Sequence, residues 1–268
     1  MKKRIIFDVI IVGGGLAGLT SAIHLSKREK RVLLIEKNEY PKHKVCGEYI
    51  SNEVLPYLNS LGIDPISEGA KKITKVHIST IKSNLIKGEL PLGGFGMSRY
   101  FLDNLLVKKA RLNGVQILKD TVDSINFKKE SFTIITKNSG VFQSKITIGA
   151  FGKRSSLDQK MNREFIKKKS SYLAIKIHVK GLFPQNLVAL HNFKGGYCGV
   201  SKVENNAINV CYITEYRSFK KHKNITDFQE QVVFKNEHLK KIFKESTPVF
   251  EKPLTISQVS FQTKNPIE

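Results

Sequence analysis

The 268-residue chain has few cysteines, few prolines and no long apolar run, and each shortage excludes a class of protein. Its three cysteines, Cys46, Cys198 and Cys211, form no Cys-x-x-Cys pair and no even disulfide set, which indicates a reducing, cytosolic compartment. Eight prolines and 19 glycines without a period exclude a collagen-like chain. Because no apolar run reaches about 18 residues, we expect no membrane-spanning helix. The predicted location is cytoplasmic, with peripheral contact to a membrane left open.

Acidic residues are also scarce, since 23 Asp and Glu stand against 45 Lys and Arg and give a formal net charge of +22. The densest basic run, residues 153–169, and the other lysines are predicted to form a solvated surface, with attraction to anionic partners such as a membrane face as the alternative. Nucleic acid is not favoured as a partner, because the chain has no recognition-helix or aromatic-ladder motif. The seven histidines show no ligand spacing, so no metal site is predicted.

The sequence does have a glycine-rich turn between an apolar run and a helical pattern. Residues 5–12 are apolar and β-branched, as a buried parallel strand requires, and the turn at residues 13–18 reads GGGLAG. Gly13 permits a tight turn, Gly15 lets the backbone approach a pyrophosphate, and Gly18 allows the helix to pack closely on the strand. The amides at the helix start suit phosphate charge.

A carboxylate stands at the expected distance from this turn. Glu36 follows a second predicted strand, residues 31–35, and lies 18 residues after Gly18, where it can accept hydrogen bonds from ribose hydroxyls. Strand, turn, helix and acid together predict a dinucleotide cleft. Glu rather than Arg at position 36 favours FAD or NAD over NADP.

These residues resemble the amino end of the FAD-dependent oxidoreductases that include the aromatic-ring monooxygenases and the geranylgeranyl reductases. Residues 41–48, PKHKVCGE, are similar to a P-x-x-K-x-C-G-[GE] segment of the geranylgeranyl reductase branch, where it runs past the flavin with the Cys near the ring. Residues 149–155, GAFGKRS, resemble a second fingerprint, G-A-D-G-x-x-S, with Phe151 in place of Asp. This departure disfavours a nicotinamide-driven aromatic hydroxylase, because the Asp form is associated with handling both flavin and NAD(P)H.

The resemblance implies FAD as the cofactor and gives roles to single residues. It places Arg99, which follows the predicted N-cap Ser98, near the FAD phosphates or ribityl chain, with a plain surface arginine as the alternative. It places Lys44 and Cys46 along the flavin, and Cys46 is either a proton donor or a packing residue. The implied cofactor-binding residues are Gly13, Gly15, Ala17, Gly18, Glu36, Lys44, Arg99 and Val122, whose strand meets the adenine; Cys46 is the implied catalytic residue.

Hydrophobic periodicity predicts the remaining elements. Helices are expected at residues 51–61, 99–112 and 225–243, and a flexible turn at 93–96. Strands are expected at 71–80, 85–90, 115–118, 121–127, 131–136, 141–148, 172–179, 187–191, 196–203, 207–213 and 249–261, with a hairpin turn at 204–206. Whether Cys198 faces Cys211 depends on the register of that hairpin.

The predicted fold class is α/β: a Rossmann-like FAD-binding domain of three layers (ββα) with an inserted antiparallel β-sheet substrate domain. The FAD-binding domain is assigned to residues 1–65 and 98–155, and the substrate domain to residues 66–97 and 156–268. In the family a third FAD motif contains G-D-A-x-G, and no Gly-Asp dipeptide occurs in this sequence. We therefore expect a C-terminally incomplete domain that binds FAD more weakly than a longer relative does.

The predicted function is that of an FAD-dependent oxidoreductase similar to geranylgeranyl reductases. Such an enzyme passes a hydride from the reduced flavin to a double bond of a hydrophobic small molecule, here an isoprenoid, polyene or aromatic compound. Two alternatives remain open: an FAD-dependent monooxygenase, and a non-catalytic dinucleotide-binding remnant.

Overall fold

The computed structural model describes residues 6–167 and 170–265, so the charged start, two residues of the basic run and the last three residues lie outside the described part. In chain order its helices and strands are β1 (Ile6–Val12), α1 (Leu16–Ser26), β2 (Val32–Glu36), β3 (Tyr49–Ser51), α2 (Leu55–Ser60), β4 (Lys71–Ser79), β5 (Leu85–Gly96), α3 (Arg99–Leu112), β6 (Gln116–Lys119), β7 (Val122–Lys128), β8 (Ser131–Thr136), β9 (Val141–Gly149), α4 (Ser156–Lys160), α5 (Glu164–Lys167), β10 (Tyr172–Gly181), β11 (Leu187–Phe193), β12 (Gly196–Lys202), β13 (Ile208–Glu215), α6 (Tyr216–Phe219), α7 (Ile225–Gln231), α8 (Glu237–Lys244), β14 (Ser246–Pro248) and β15 (Leu254–Ser257).

The first sheet has the strand order β6-β2-β1-β9-β8-β7. Strands β6, β2, β1 and β9 run parallel, whereas β8 and β7 are added antiparallel. β1 and β2 are central because they are apolar on both faces: Ile10, Ile11 and Leu34 are completely buried. Val12 pairs with Ile35, so the carboxyl ends of β1 and β2 lie side by side.

Apolar side chains cover both faces of this sheet. On one face Leu19 of α1 and Leu106 of α3 pack against Ile11. On the other face Val122 of β7 and Ile134 of β8 share a core with residues of β1 and β2. Helices thus cover one face of the sheet, and the predicted α/β class is confirmed, while the division into three layers (ββα) stays a prediction.

The second sheet has the order β14-β10-β13-β12-β11-β4-β5-β3, with β15 also paired to β10. All its pairs are antiparallel except β4 with β11. Alternation divides β10 between two faces: Ile175 and Ile177 pack against Phe228 of α7 and Leu239 of α8. The opposite face of β10 carries polar residues that contact the segment between β2 and β3.

The predicted hairpin is confirmed, and its register separates the two cysteines. Cys198 pairs with Tyr212, and Cys211 pairs with Gly199. Because neighbouring residues of a strand point to opposite faces, the two thiols lie on opposite sides of the sheet.

Three predicted elements are wrong. Residues 93–96 end β5 instead of forming a turn, because glycine lets two strands approach: a Cβ on Gly96 would lie 1.9 Å from the carbonyl oxygen of Lys202. The single helix predicted at 225–243 is two helices, because the side chain of Asn236 accepts hydrogen bonds from the amides of His238 and Leu239 and starts α8 anew. The extended stretch 249–261 contains only β15.

The predicted domain boundaries stay a prediction, although two features cross them. β3 falls in the range predicted for the FAD-binding domain but pairs with β5 of the second sheet. Leu157 falls in the other range but packs in the core of the first sheet. Within the described residues, no helix is long and apolar enough to cross a bilayer.

A buried polar cluster lies where α8 meets the second sheet. The hydroxyl of Ser79 is 2.8 Å from Nδ1 of His191, and Nδ2 of Asn236 donates to the same hydroxyl at 2.7 Å. The His191 ring also stacks on that of His238, 5.2 Å away between centroids. Burial, together with the imidazoles of His238 and His77, lowers the pKa of His191 to about 4.

We predict that His191 makes the free energy of unfolding depend on pH between about 6.5 and 4. The ring stays neutral in the folded protein, whereas the unfolded chain binds a proton as the pH falls below its ordinary pKa of about 6.5, so acid favours unfolding. The expected loss from pH 7.5 to pH 5 is about 2 kcal/mol, measured by urea unfolding with circular dichroism. His191→Gln should remove it, and His24→Gln on α1 should not. A His191→Gln protein with the full wild-type pH dependence would contradict the assignment.

Candidate functional site

The turn between β1 and α1 is held from two sides at Gly14. Its amide donates to Oε2 of Glu36 at 2.7 Å, and the hydroxyl of Tyr40 donates to its carbonyl oxygen at 2.6 Å. A Cβ at Gly14 would lie 1.7 Å from that hydroxyl, so glycine is required. Gly13 has a φ of +105°, a conformation that other residues adopt only with strain. The turn therefore has one shape.

The start of α1 faces open space. The first helical hydrogen bond of α1 runs from the amide of Leu19 to the carbonyl of Gly15, so the amides before Leu19 have no partner inside the helix. A Cβ on Gly15 would meet nothing within 4 Å, and a cavity of about 290 Å³ lies beside it. Free amides at the positive end of a helix, next to an unobstructed cavity, fit the pyrophosphate of a dinucleotide.

Gly18 and Ala17 do not line this cavity. A Cβ on Gly18 would lie 1.9 Å from the carbonyl oxygen of Gly13, so Gly18 lets the helix pack against the turn. Ala17 is exposed. The structure thus brings Gly13 and Gly15 to the mouth and gives Gly18 a packing role, while a phosphate contact of Ala17 or Gly18 stays a prediction.

Glu36 is turned toward the mouth. Its Oε1 accepts hydrogen bonds from the amide of Asn38 at 2.9 Å and from Nδ2 of Asn38 at 2.5 Å, in addition to the bond that Oε2 accepts from Gly14. An ionised carboxylate has about four acceptor positions, so with these three bonds about one position remains for a ribose hydroxyl. The residues around the cavity are Val12, Gly13, Gly15, Ile35, Glu36, Lys37, Asn38, Lys44, Asp120, Thr121, Val122, Ala150, Phe151, Gly152, Ser155, Ser156 and Leu157.

Arg99 is not part of this lining. Its Nε and Nη2 donate to the two carboxylate oxygens of buried Asp103 at 2.8 and 3.1 Å. Nζ of Lys44 donates to the same carboxylate at 2.6 Å and also lines the cavity. Burial lowers the pKa of Arg99, but the hydrogen bond and charge of Asp103 outweigh it and leave this pKa raised. Arg99 thus reaches the cavity through Asp103 and Lys44, and its contact with FAD stays a prediction.

Cys46 lines a second cavity, of about 600 Å³, whose wall is mostly apolar. The two cavities adjoin along two segments of chain. Lys44 lines the first cavity, while Val45 and Cys46 line the second; Gly152 lines the first, while Lys153 lines the second. A ligand in one cavity would therefore border a ligand in the other.

The wall of the second cavity is the face of the second sheet that bears Cys211. One row of paired residues crosses six strands here, from β10 to β5: Lys176, Cys211, Gly199, Leu190, Ile78 and Ile86. Exposure rises along the row, from 0 % at Lys176 to 41 % at Ile78 and 67 % at Ile86. The row runs from residues that line the cavity, such as Cys211 and Leu190, to the exposed Ile78 and Ile86. At about 4.8 Å between strands it spans roughly 24 Å. We call its uncharged part, from Cys211 to Ile86, the apolar row.

Sequence reasoning missed a buried carboxylate beside Cys46. Glu48 is enclosed by Lys176 and His178 of β10. Burial raises the pKa of Glu48, but the hydrogen bond from His178 and the charge of Lys176 outweigh it and leave this pKa below its usual value. A signal was present: Lys176 and His178 alternate with Ile175 and Ile177, which indicates a strand with one polar face.

Comparison with known proteins supports the predicted resemblance. Residues 8–45 match the family model described as FAD dependent oxidoreductase. The chain is 26 % identical over 157 residues to a digeranylgeranylglycerophospholipid reductase of Methanococcus aeolicus, covering 56 % of this chain and 39 % of that protein. It is 28 % identical over 186 residues to a 1H-pyrrole-2-carbonyl-[peptidyl-carrier protein] brominase of Pseudoalteromonas luteoviolacea, covering 66 % of this chain and 45 % of that protein.

The fold is also found among solved structures. That of the flavin-dependent brominase Bmp2 superimposes with a TM-score of 0.78 at 20 % identity, over 94 % of this chain and 67 % of that one. The chain spans less than half the length of each of these two curated relatives. The predicted likeness to FAD-dependent oxidoreductases is confirmed.

We predict that two glycines of the turn respond oppositely to a methyl group. Gly18→Ala should lower the free energy of unfolding by about 1–3 kcal/mol, because its Cβ overlaps the carbonyl of Gly13. Gly15→Ala should cost less than about 1 kcal/mol, the effect of alanine at an N-cap, because its Cβ points into open space. Urea unfolding of both variants without cofactor tests this. Equal losses would show that Gly15 is enclosed and that the mouth is not open.

Proposed function

We propose that this chain, a member of the superfamily of FAD-dependent oxidoreductases, binds FAD in the first cavity and reduces a carbon–carbon double bond of an elongated apolar substrate in the second. The observation that carries this proposal is the border between the two cavities at Lys44, Cys46 and Gly152. A cofactor and a substrate that occupy the two cavities would meet there.

Each part of the first cavity has a role in holding FAD. The amides at the start of α1, with Gly13 and Gly15, would bind the pyrophosphate, and Glu36 would accept hydrogen bonds from the ribose. The backbone near Val122 would meet the adenine, and Lys44 would lie along the flavin. When bound, FAD supplies the hydride chemistry that side chains lack.

The second cavity supports the substrate class. Its wall is mostly apolar, and the apolar row continues from it across the sheet, so an extended hydrocarbon chain would meet apolar side chains along its length. The related reductase of Methanococcus aeolicus is named for a substrate with geranylgeranyl chains. The exposed Ile78 and Ile86 at the end of the apolar row, together with the net charge of +22, also support a peripheral contact with an anionic membrane.

Saturation of a double bond needs a proton as well as a hydride, and Cys46 is the candidate donor. Its Sγ accepts a hydrogen bond from the amide of Glu48 at 3.5 Å, which does not engage the thiol hydrogen. Cys211 lines the same cavity, but burial raises the pKa of its thiol to about 12. Cys46 would recover its proton from water.

Oxygen-dependent chemistry is the second candidate. It is supported by the likeness to the brominase of Pseudoalteromonas luteoviolacea, and it includes the monooxygenase considered above. The third candidate is a non-catalytic dinucleotide-binding remnant.

We predict that Gly15→Ala weakens FAD binding at least tenfold, a loss of about 1.4 kcal/mol, because the methyl group occupies the phosphate cradle. Glu36→Gln should weaken it by a similar factor, because a charge-assisted hydrogen bond to ribose becomes a neutral one. Quenching of flavin fluorescence measures both. Lys37→Gln, next to Glu36 in the same lining, is the control and should change affinity less than threefold. Wild-type affinity in both variants would place FAD elsewhere.

We predict saturation of geranylgeraniol by the FAD-loaded chain, reduced with dithionite and kept free of oxygen. Mass spectrometry should show a gain of two hydrogen atoms per double bond. Cys46→Ser should lower turnover by about a hundredfold, the low end for a general acid, and Cys211→Ser less than threefold. A product that forms only in air and carries ¹⁸O from ¹⁸O₂ would favour oxygen-dependent chemistry. No product from a chain that binds FAD would favour the remnant.

A further inference from the structure

Glu48 is a carboxylate with no exposed side-chain surface, and it directly follows the segment whose residues Lys44 and Cys46 line the first and the second cavity. Its Oε1 accepts hydrogen bonds from Nζ of Lys176 and, at 2.8 Å, from the amide of Arg99. Its Oε2 lies 2.7 Å from Nε2 of His178. The Lys176 side chain has no exposed surface either, and that of His178 is 5 % exposed.

The backbone of Glu48 is held as firmly as its side chain. Its φ is +56°, a left-handed conformation that is unusual for a residue other than glycine. Its carbonyl accepts a hydrogen bond from the amide of Met97 at 3.1 Å, and its amide donates to Sγ of Cys46. The surrounding contacts must maintain this conformation, because the chain does not favour it alone.

The neighbours of Glu48 tie the preceding residues to the same sheet. Nζ of Lys176 also donates to the carbonyl of Lys44 at 3.1 Å. Nδ2 of Asn209 donates to the carbonyls of Cys46 and Gly47 at 3.2 and 2.8 Å. Lys176 and Asn209 are on adjacent strands, β10 and β13, so the segment from Lys44 to Glu48 crosses both.

Stability alone does not explain this arrangement. Burying a carboxylate and an ammonium costs more free energy of hydration than their attraction reliably returns, and apolar residues of similar size often serve as well. The hydrogen bonds of Glu48, unlike apolar contacts, are directional, and they reach β10, α3 and the Cys46 segment at once. A fixed geometry is what such a set of bonds provides.

We propose that Glu48 is a positioning residue, which holds Cys46 and Gly47 at the border of the two cavities by binding Lys176 and His178. As a role in catalysis it rests on the proposed function, because it assigns Cys46 a place beside the reacting atoms. As a statement about the order of the segment 44–48 it does not need the cofactor.

The test separates charge balance from positioning. Glu48→Gln alone leaves Lys176 buried without a counter-charge, so it should lower the midpoint of urea unfolding. The double variant Glu48→Gln with Lys176→Met removes both charges and should return the midpoint close to the wild-type value. In the double variant, without FAD, hydrogen exchange of the peptide 44–50 should still be at least tenfold faster than in the wild type.

Glu204→Gln is the matched control. Glu204 also accepts hydrogen bonds at the start of α3, from the amide of Ser98 at 2.8 Å and from its hydroxyl, but it bonds to no residue of the segment 44–48. Exchange of the peptide 44–50 should stay within twofold of wild type in this variant. Wild-type exchange in the double variant would overturn the proposal, because Glu48 would then only neutralise Lys176. An equal rise in Glu204→Gln would overturn it too.

Two further measurements complete the test. If the double variant does not fold, Glu48→Asp takes its place, because the charge remains but the side chain is one methylene shorter. Exchange of the peptide 44–50 at least threefold faster than in the wild type supports the proposal, and the wild-type rate overturns it.

With FAD and geranylgeraniol, the double variant should lose at least tenfold in kcat while KM stays within twofold, and an unchanged kcat would overturn the catalytic role. A wild-type chain that binds no FAD would refute the proposed function, while the exchange experiment would still judge the position of the segment.

Discussion

The shape of the dinucleotide cleft depends on the two hydrogen bonds that hold Gly14. Glu36 binds its amide and Tyr40 binds its carbonyl, so the two peptide groups on either side of Gly14 are both fixed just before the helix begins. Glu36 can do this because Val12 pairs with Ile35, which brings the ends of β1 and β2 together. The same carboxylate keeps about one acceptor position for a ligand at the mouth. One side chain therefore shapes the turn and presents the group that a ribose would meet.

Apolar packing and directional polar contacts both join the two sheets. Phe95 of β5 and Ile50 of β3, which belong to the second sheet, pack in the core on the helix face of the first sheet. In addition, the segment from Lys44 to Glu48 is held by ion pairs and hydrogen bonds to β10 and β13. Apolar packing tolerates small shifts of one surface over another, whereas hydrogen bonds and ion pairs depend on distance and angle and tolerate such shifts poorly. The border between the cavities is thus defined by directional contacts at the place where the proposed chemistry needs accuracy.

The sequence was informative where structure is local. The run of β-branched residues, the glycines and Glu36 lie within about thirty residues, and the strand, turn, helix and acid occur as predicted. Ser98 caps α3 as predicted, because a cap depends only on the amides that follow it. The glycines at 93–96 were misjudged because their reason is non-local: Gly96 lies against Lys202, more than a hundred residues away.

The same limit applies to the candidate site. The place of Cys46 beside the apolar cavity depends on how the segment that contains it crosses β10 and β13, and spacing does not reveal this. Glu48 was part of a recognised motif, but its partners Lys176 and His178 lie about 130 residues further along the chain. The contact of Arg99 with the FAD phosphates or ribityl chain stays a prediction, and the structure pairs Arg99 with Asp103, four residues further along α3. One helical turn brings these two side chains together, so that pairing could have been predicted.

Charged side chains are distributed unevenly between the interior and the surface. Among the described residues, Glu48, Asp103, Asp120 and Asp158 are buried acids, and all but Asp120 bind at least one lysine or arginine. Lys176 is the one buried cation of the described residues, so their other lysines and arginines are at least partly exposed. These exposed charges produce a field that attracts anions over about 8 Å at physiological salt. A diphosphate in the first cavity would feel this field, and so would an anionic membrane in the proposed peripheral contact, which would also cover the exposed Ile78 and Ile86. Salt should therefore weaken the electrostatic attraction of a diphosphate or of such a membrane. Burial of Ile78 and Ile86 against a membrane would persist at high ionic strength.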